Sequence, residues 1–476
     1  MSINSLFGSA RLALQAQQIA METASHNIAN ANVEGFSRQV VSLTPNLPNY
    51  TPQGAVGTGV IVQDISRVRD TLLDVNYRTQ TSLASGSAAR NDALQQIGDM
   101  FGEPSDTGLA ATLDAFYNAW SDLANSPTSS AAQSVVQQRG AQVASTLNRF
   151  SSTLDTIASN TLGTATQQVA DLNRYLAQVA TLNKQIVAAE AGGQTASDLR
   201  DQRDVALDAL AKIAPVRVIE QPNGATTVYV GSMQAVDGSD ARQFSLQRSG
   251  NVTSLVTGNQ VVASPSLGGA LGANLAVLNT DIPNARQQLD TLAAGIVSTV
   301  NAIHRTGWTA AGDALGNANW DASAPPTGSN VDFFDPSKTT AATISLSAQV
   351  ASSAAYIAAG NVQNGSGNTA VANALGGLRS DATAITKFGG IGTTSLSGFY
   401  QDLVARVGTA TNDADASATV YQTLARQADT QRQSVSGVST DDELIEITKR
   451  QQAYSAAAKV ITTATQMSQT LLDMLG

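Results

Sequence analysis

No cysteine occurs among the 476 residues, so disulfides, thiolate metal sites and cysteine nucleophiles are all excluded. Charge is scarce too. Only 13% of residues are ionic, against about 25% in an ordinary soluble domain, and Ala, Ser, Thr, Gln, Asn and Gly take up the difference. Small uncharged side chains lose their water more cheaply than ions, which suits faces that neighbours will cover. A genome-wide alanine bias would give the same composition, and composition alone leaves both readings open. The charge that is present leans acidic: net −10, with a pI near 4.7. That is the wrong sign for a phosphate-binding face, so no nucleic-acid partner is expected. The densest basic spot near the N-terminus, RVRD at 67–70, reads as too short to matter. Long apolar runs are missing as well. The uncharged region 250–280 is broken by Asn, Gln, Ser, Pro and Gly, so no membrane span is expected. The N-terminus lacks a basic segment followed by an apolar core, and export, if it occurs, should need no cleaved signal peptide.

Catalytic constellations are equally scarce. The two histidines, His26 and His304, have no zincin neighbourhood. His304 reads as a dipole partner at a helix end or a half-buried packing residue, and His26 as a local hydrogen-bonding group. Gly57-Thr58-Gly59 is followed by Val62 where a dinucleotide loop needs its third glycine, and Gly390-Ile391-Gly392 by Ser395. DADAS at 413–417 begins like a calcium loop, but Ala418 replaces the obligatory glycine and Leu424 the bidentate glutamate. Asp198, Asp201 and Asp204 alternate with Arg200 and Arg203, and Arg200 and Asp204 stand at i,i+4, the pattern of a solvated helix face. The expectation is a protein that is not an enzyme, with no cofactor and no metal.

What the sequence does contain is two heptad stripes at its ends. Ile3, Phe7, Ala10, Leu14, Gln17, Met21, Ala24 and Ile28 step by four and three, with Phe7, Leu14, Met21 and Ile28 as the bulky seam. Near the C-terminus Ala453, Ala457, Val460, Ala464, Met467, Leu471 and Met474 step the same way, widened by Leu444, Ile447, Tyr454, Ile461, Leu472 and Leu475. TDDE at 440–443 reads as the capping box that starts this helix, Thr440 and Glu443 exchanging bonds. Helices of this quality are marginal alone, and neither has a local core, so they should pair with each other and with copies from other subunits.

Between the ends, the stripe Val169, Leu172, Leu176, Val179, Leu182 and Ile186 predicts a helix ending at 191–193, and 198–213 another. VRVIEQPNGATTVYV, 216–230, alternates around a PNG turn and predicts a hairpin. A helix should return after Pro283, followed by a loop-rich stretch in which ATISLS, 342–347, reads as a strand. The fold class is mainly α with β-rich insertions, a multidomain α+β chain. Its expected parts are a terminal coiled coil (1–38 with 440–476), a mainly helical trunk (39–215 with 268–305 and 370–439), a β-rich insertion (216–267) and a loop- and β-rich insertion (306–369).

The two ends also carry a resemblance. ASHNIANANVEGFSRQV, 24–40, and SGVSTDDELIEITKRQQAYSAAAKVITTATQMSQTLLDML, 436–475, resemble the bacterial flagellar axial (rod–hook) proteins. Ser37-Arg38-Gln39 after Gly35-Phe36, with DLRDQRDVALDALA and LDTLAAGIVSTVNAIHRTG in the middle, is similar to the hook-associated protein 1 family, the first hook–filament junction proteins. The β-rich insertions lie outside the resemblance, and Val33-Glu34 and Phe36 depart from the usual Thr-Pro and Tyr. The resemblance implies a structural subunit exported through the flagellar type III pathway and residing outside the cell at the hook–filament junction. It implies a homo-oligomeric ring between the hook subunit below and a second junction protein above, and a cytoplasmic export chaperone on the C-terminal helix. The rival readings are a rod or hook subunit, a peptidoglycan hydrolase and an extracellular adhesin. The expected assembly residues are Phe7, Leu14, Met21, Ile28, Tyr454, Ile461, Met467, Leu471 and Met474. Asn32, Gly35, Phe36 and Arg38 should form the corner where the chain leaves the inner tube, since Asn and Gly tolerate the left-handed conformation.

Overall fold

The computed structural model describes residues 3–475 except 52–53, 104, 107, 263–266, 312–327, 363–364, 366 and 382–393, and of Ile3, Asn4, Thr51 and Leu475 the backbone alone. The side chain of Ile3 and the glycines Gly390 and Gly392 therefore lie outside the described residues.

The chain begins with helix α1 (Ile3–Asn30), turns, and enters a β arm of strands β1 (Gln39–Pro45), β2 (Asn49–Thr51), β3 (Gly54–Val56) and β4 (Val60–Arg67). Four long helices follow: α2 (Thr71–Phe101), α3 (Leu109–Asn125), α4 (Ser130–Glu190) and α5 (Ser197–Ile213). Strands β5 (Val216–Glu220), β6 (Thr226–Val230), β7 (Met233–Asp237) and β8 (Asp240–Ala241) form one antiparallel sheet in sequence order. Strands β9 (Ser245–Ser249), β10 (Val252–Thr257) and β11 (Gln260–Val261) form a second. Helix α6 (Gly269–Ala276) runs through a π-turn, Val277–Asp281, into α7 (Ile282–His304); α8 (Ala348–Ser352), α9 (Ala370–Gly377), α10 (Leu396–Ser436) and α11 (Thr440–Leu475) complete the order.

Helix α4 has 61 residues, about 90 Å of rise, and carries both hydrophobic cores. Its first half joins the end of α2 with α3, α7, α9 and the start of α10 around Leu147, Phe150 and Leu154. Its second half, with Val169, Leu172, Leu176 and Val179 buried as the stripe predicts, packs on α5, α6 and the β5–β8 sheet. The β5–β6 hairpin closes at 221–224, where Gly224 takes φ +83°. Helix α10 runs antiparallel along α2, with Thr411 beside Leu94 and Asp415 beside Asn91.

Four sequence expectations fail here for definable reasons. The helix through Pro283 begins at Gly269, because a π-turn immediately before the proline widens the spiral where its ring and missing N–H would break regular bonding. ATISLS forms no strand. Leu346 makes a single bridge to Phe334, and the described apolar residues of 331–359 pack into the first core instead of building their own. Residues 39–67 are a β arm lying against α1, not trunk helix.

His304 is the fourth. It does end helix α7, but it is fully buried beside Trp120 and Phe333 and not half-buried. Its Nδ1 lies 2.8 Å from the Val331 carbonyl, and its Nε2 accepts the Ala358 N–H at 3.1 Å, so the neutral ring is fixed with its proton on Nδ1. Burial pushes its pKa down to about 4, although the Val331 carbonyl and Asp332 pull the other way. Between the ordinary imidazole value and about 4, the unfolded chain takes up a proton that the folded chain refuses. Stability is therefore full above about pH 6.5 and falls by about 3 kcal/mol as the pH drops to about 4. Thermal melts at pH 7 and 4.5 check this. His304→Asn should melt lower at pH 7 but lose less on acidification, and an equal loss in both proteins would refute it.

Candidate assembly interface

Helix α1 stops because its own side chains compete for the backbone. Asn30 Nδ2 donates to the His26 carbonyl at 3.0 Å, and the chain then turns through Val33 N–H to Asn30 O and Phe36 N–H to Val33 O. Gly35 takes φ +78°, the left-handed conformation that Gly adopts without penalty. A Cβ there would stand 2.2 Å from Val205 Cγ2, so the turn is pressed directly onto α5. The Phe36 ring meets His26 edge-on at 5.4 Å. Asn32 is exposed, and φ is not positive there.

The asparagine that builds the corner is Asn27, which is 1% exposed. Its Oδ1 accepts the Gln39 N–H at 3.0 Å and its Nδ2 donates to the Gln39 carbonyl at 2.9 Å, so one side chain plays the part of a neighbouring strand. The same Nδ2 reaches Glu443 Oε2 at 3.1 Å, while Arg38 Nε donates to Glu443 Oε1 at 2.6 Å. The Arg38 N–H also donates to the Ser436 carbonyl at 2.9 Å. The outgoing chain at 38 and the incoming chain at 436–443 are thus tied together. This overturns the expected capping box: Ser439, not Thr440, caps α11 by accepting the Asp442 N–H, and the Glu443 side chain is committed to the corner.

Beneath the corner, where the spacing of the charges predicts a solvated face and a basic spot too short to matter, lies a buried ionic network. Asp201, Asp204 and Asp208 share one face of α5. Asp201 accepts from Ser37 N–H at 2.9 Å, Ser37 Oγ at 2.7 Å and Arg67 at 2.6 Å. Arg67 and Arg78 both donate to Asp204, at 2.8 and 2.9 Å, and Arg78 and Arg432 to Asp208. Arg69 clamps Asp74 with two bonds of 2.9 Å and reaches Ser37 Oγ at 3.0 Å. Burial alone would raise the Asp204 pKa, but Arg69, Arg78 and Arg67 together hold it well below the usual carboxylate range. Arg200 pairs with Glu190 and Glu220 and not with Asp204. The network joins the corner, the β arm, α2, α5 and α10 into one support.

On that support stands the terminal pair. Helices α1 and α11 run antiparallel, Asn27 opposite Glu443 and Gln17 opposite Arg450. The deepest contacts use small residues, Ala10, Ala16, Ala20 and Ala24 on α1 and Ala464 on α11. Small side chains let the helices approach closely, which leaves the bulky seam of Phe7, Leu14, Met21 and Ile28, and Ile461 with it, only half covered. By that register α1 begins at about the level of Ala464, so the end of α11 projects past it. Tyr454 is exposed, and Met467, Leu471 and Met474 are 49%, 49% and 77% exposed. The expected assembly residues thus form a half-covered seam and an open stripe. Asn27, Glu443, Arg67, Asp201 and Asp204, which hold that surface in place, were missed.

Gly35→Val should open the corner, since it combines a left-handed β-branched residue with a collision against Val205. Assembly, read as motility, is expected to fall much more than the melting temperature of the trunk. Adding Val205→Ala to a Gly35→Ala chain should restore part of the loss, since it relieves the collision but not the φ. Unchanged motility of Gly35→Val would show that the corner carries no load.

Comparison with known proteins gives a consistent picture. The profile of the flagellar hook-associated protein FlgK helical domain matches residues 94–318. The flagellar basal body rod FlgEFG protein C-terminal profile matches 430–474, and the flagella basal body rod protein profile 9–36. Flagellar hook-associated protein 1 of Bacillus subtilis is 29% identical across 98% of this chain and 97% of its own length. Its Escherichia coli counterpart is 24% identical across 99% and 100%. A solved structure of the flagellar hook junction protein FlgK from Burkholderia pseudomallei shares the fold, with a TM-score of 0.63 at 17% identity, covering 76% of this chain and 100% of that one.

Proposed function

The chain belongs to the flagellar hook-associated protein 1 family, and from that premise we propose that it is the structural subunit that forms the hook–filament junction and on which the filament is built. The observation that carries this reading is the terminal pair itself: two helices held rigidly by the corner, with an uncharged apolar stripe left open on the outside. Such a stripe is costly on a lone chain in water and is used when neighbours cover it. In this reading copies associate into a ring, with the hook subunit below and a second junction protein above. Before assembly the stripe of α11 is covered by an export chaperone, because Met and Leu side chains repack readily against successive partners. The chain leaves the cell by the flagellar export route and resides outside it.

Deleting the chain tests the reading. Cells lacking it should build complete hooks, release filament subunits into the medium and carry no filaments, and a restored copy should return them. Filaments of normal length on deletion cells would overturn the proposal.

A further inference from the structure

The β arm ends in two of the most exposed large apolar residues of the described chain, Leu47 at 84% and Tyr50 at 81%. No residue from Gln39 to Gln63 is charged. The arm's outer sheet is β2 on β3, three residue pairs in all. A two-stranded ribbon of that size is marginal in water by itself, and two large apolar side chains at its end make it more so. The arm therefore calls for a partner surface that is also uncharged and apolar.

Such a surface lies at the same height. The arm runs back along α1, and Gly59 approaches so closely that a Cβ would stand 3.1 Å from Ser9 Cα. Its end is therefore level with the first turns of α1, where the end of α11 projects. There α11 is uncharged from Val460 to Leu472 and exposes Val460, Met467 and Leu471. Arm and stripe are both open, so they do not cover each other within one chain. Being level along the axis of the terminal pair, they meet when a second copy is placed alongside by rotation, without axial displacement. A partner above or below would meet only one of them.

We propose that Leu47 and Tyr50 anchor a contact between adjacent copies of this chain, seated on the neighbour's α11 between Val460 and Met474. The contact is heterologous, arm to helix, and rotation closes it into a ring. Two uncharged surfaces desolvate without stranding an ion. This inference rests on the ring reading of the proposed function and gives that ring its lateral bond.

The test places p-benzoylphenylalanine at position 50 in cells with assembled flagella. Irradiation should give a band at twice the 49.0 kDa chain mass, with the adduct mapping to 454–475 of the second copy. An adduct with another flagellar protein, an adduct within one chain, or none in assembled chains would overturn the proposal. Because the chain has no cysteine, a second measurement is clean. Leu47→Cys and Leu471→Cys chains, expressed together and oxidised after assembly, should form a mixed dimer; a dimer of Leu47→Cys chains alone would place arm on arm and overturn it. If the chain is absent from the hook–filament boundary, the function itself fails. If it is present there with the adduct elsewhere, only this contact fails.

Discussion

Asp204→Ala is expected to destabilise the trunk by about 3–5 kcal/mol, the range for removing one partner of a buried ion pair. Asp204 is 8% exposed and takes direct bonds from Arg67 and Arg78, with Arg69 3.6 Å away. Its loss leaves three largely buried guanidinium groups with too few anions, and a buried uncompensated cation costs more than the pair contributed. In a chain of 476 residues that corresponds to a fall in melting temperature of roughly 3–5 °C. Asp204→Asn retains an acceptor and should lose less. A control on the same helix, Gln202→Ala, lies outside these ion pairs and should shift the melt little. If Asp204→Ala melted within a degree or two of the parent, the α5 carboxylates would be the solvated face that their spacing first suggests.

Leu471→Asp should do the opposite: leave folding alone and abolish assembly. Leu471 is 49% exposed on a part of α11 that projects past α1, so the monomer's melting temperature should change little. Once neighbours cover the stripe, the new carboxylate is buried without a partner at a cost of several kcal/mol, repeated in every copy. Motility and chaperone pull-down should both fail while the thermal melt matches the parent. A melt lowered by many degrees would mean that the stripe packs inside the chain.

How much of this was legible in the sequence depended on the kind of signal. The stripes of α4 and α11, the end of α4 at 191–193 and the 216–230 hairpin are local patterns, set by helical spacing, a glycine turn or strict alternation. The corner was legible only in part. Gly35 announces a left-handed turn, but Asn27 and Asn32 look alike in sequence, and only the distant partners Gln39 and Glu443 make Asn27 the working residue. The ionic network was hidden for the same reason. Ser37 and Asp201 are 164 residues apart, and Arg78 and Asp204 126. One signal could have found it. In a chain with so few charges, Arg67, Arg69 and Arg78 on one side and Asp201, Asp204 and Asp208 on the other are two matched clusters, and matched clusters in a charge-poor chain point to pairing in the interior rather than solvation. Pro283 misled because proline usually begins or breaks a helix, and the π-turn that lets one pass through has no sequence signature of its own.

A junction subunit occupies one place on the organelle, and that position tests the role of this chain most directly. Intact flagella from cells carrying an epitope on the exposed β9–β10 turn, beside Gly250, should be labelled with gold and imaged. A single narrow band is expected at the far end of each hook, where the filament begins. Label spread along the whole hook, or confined to the rod, would contradict it.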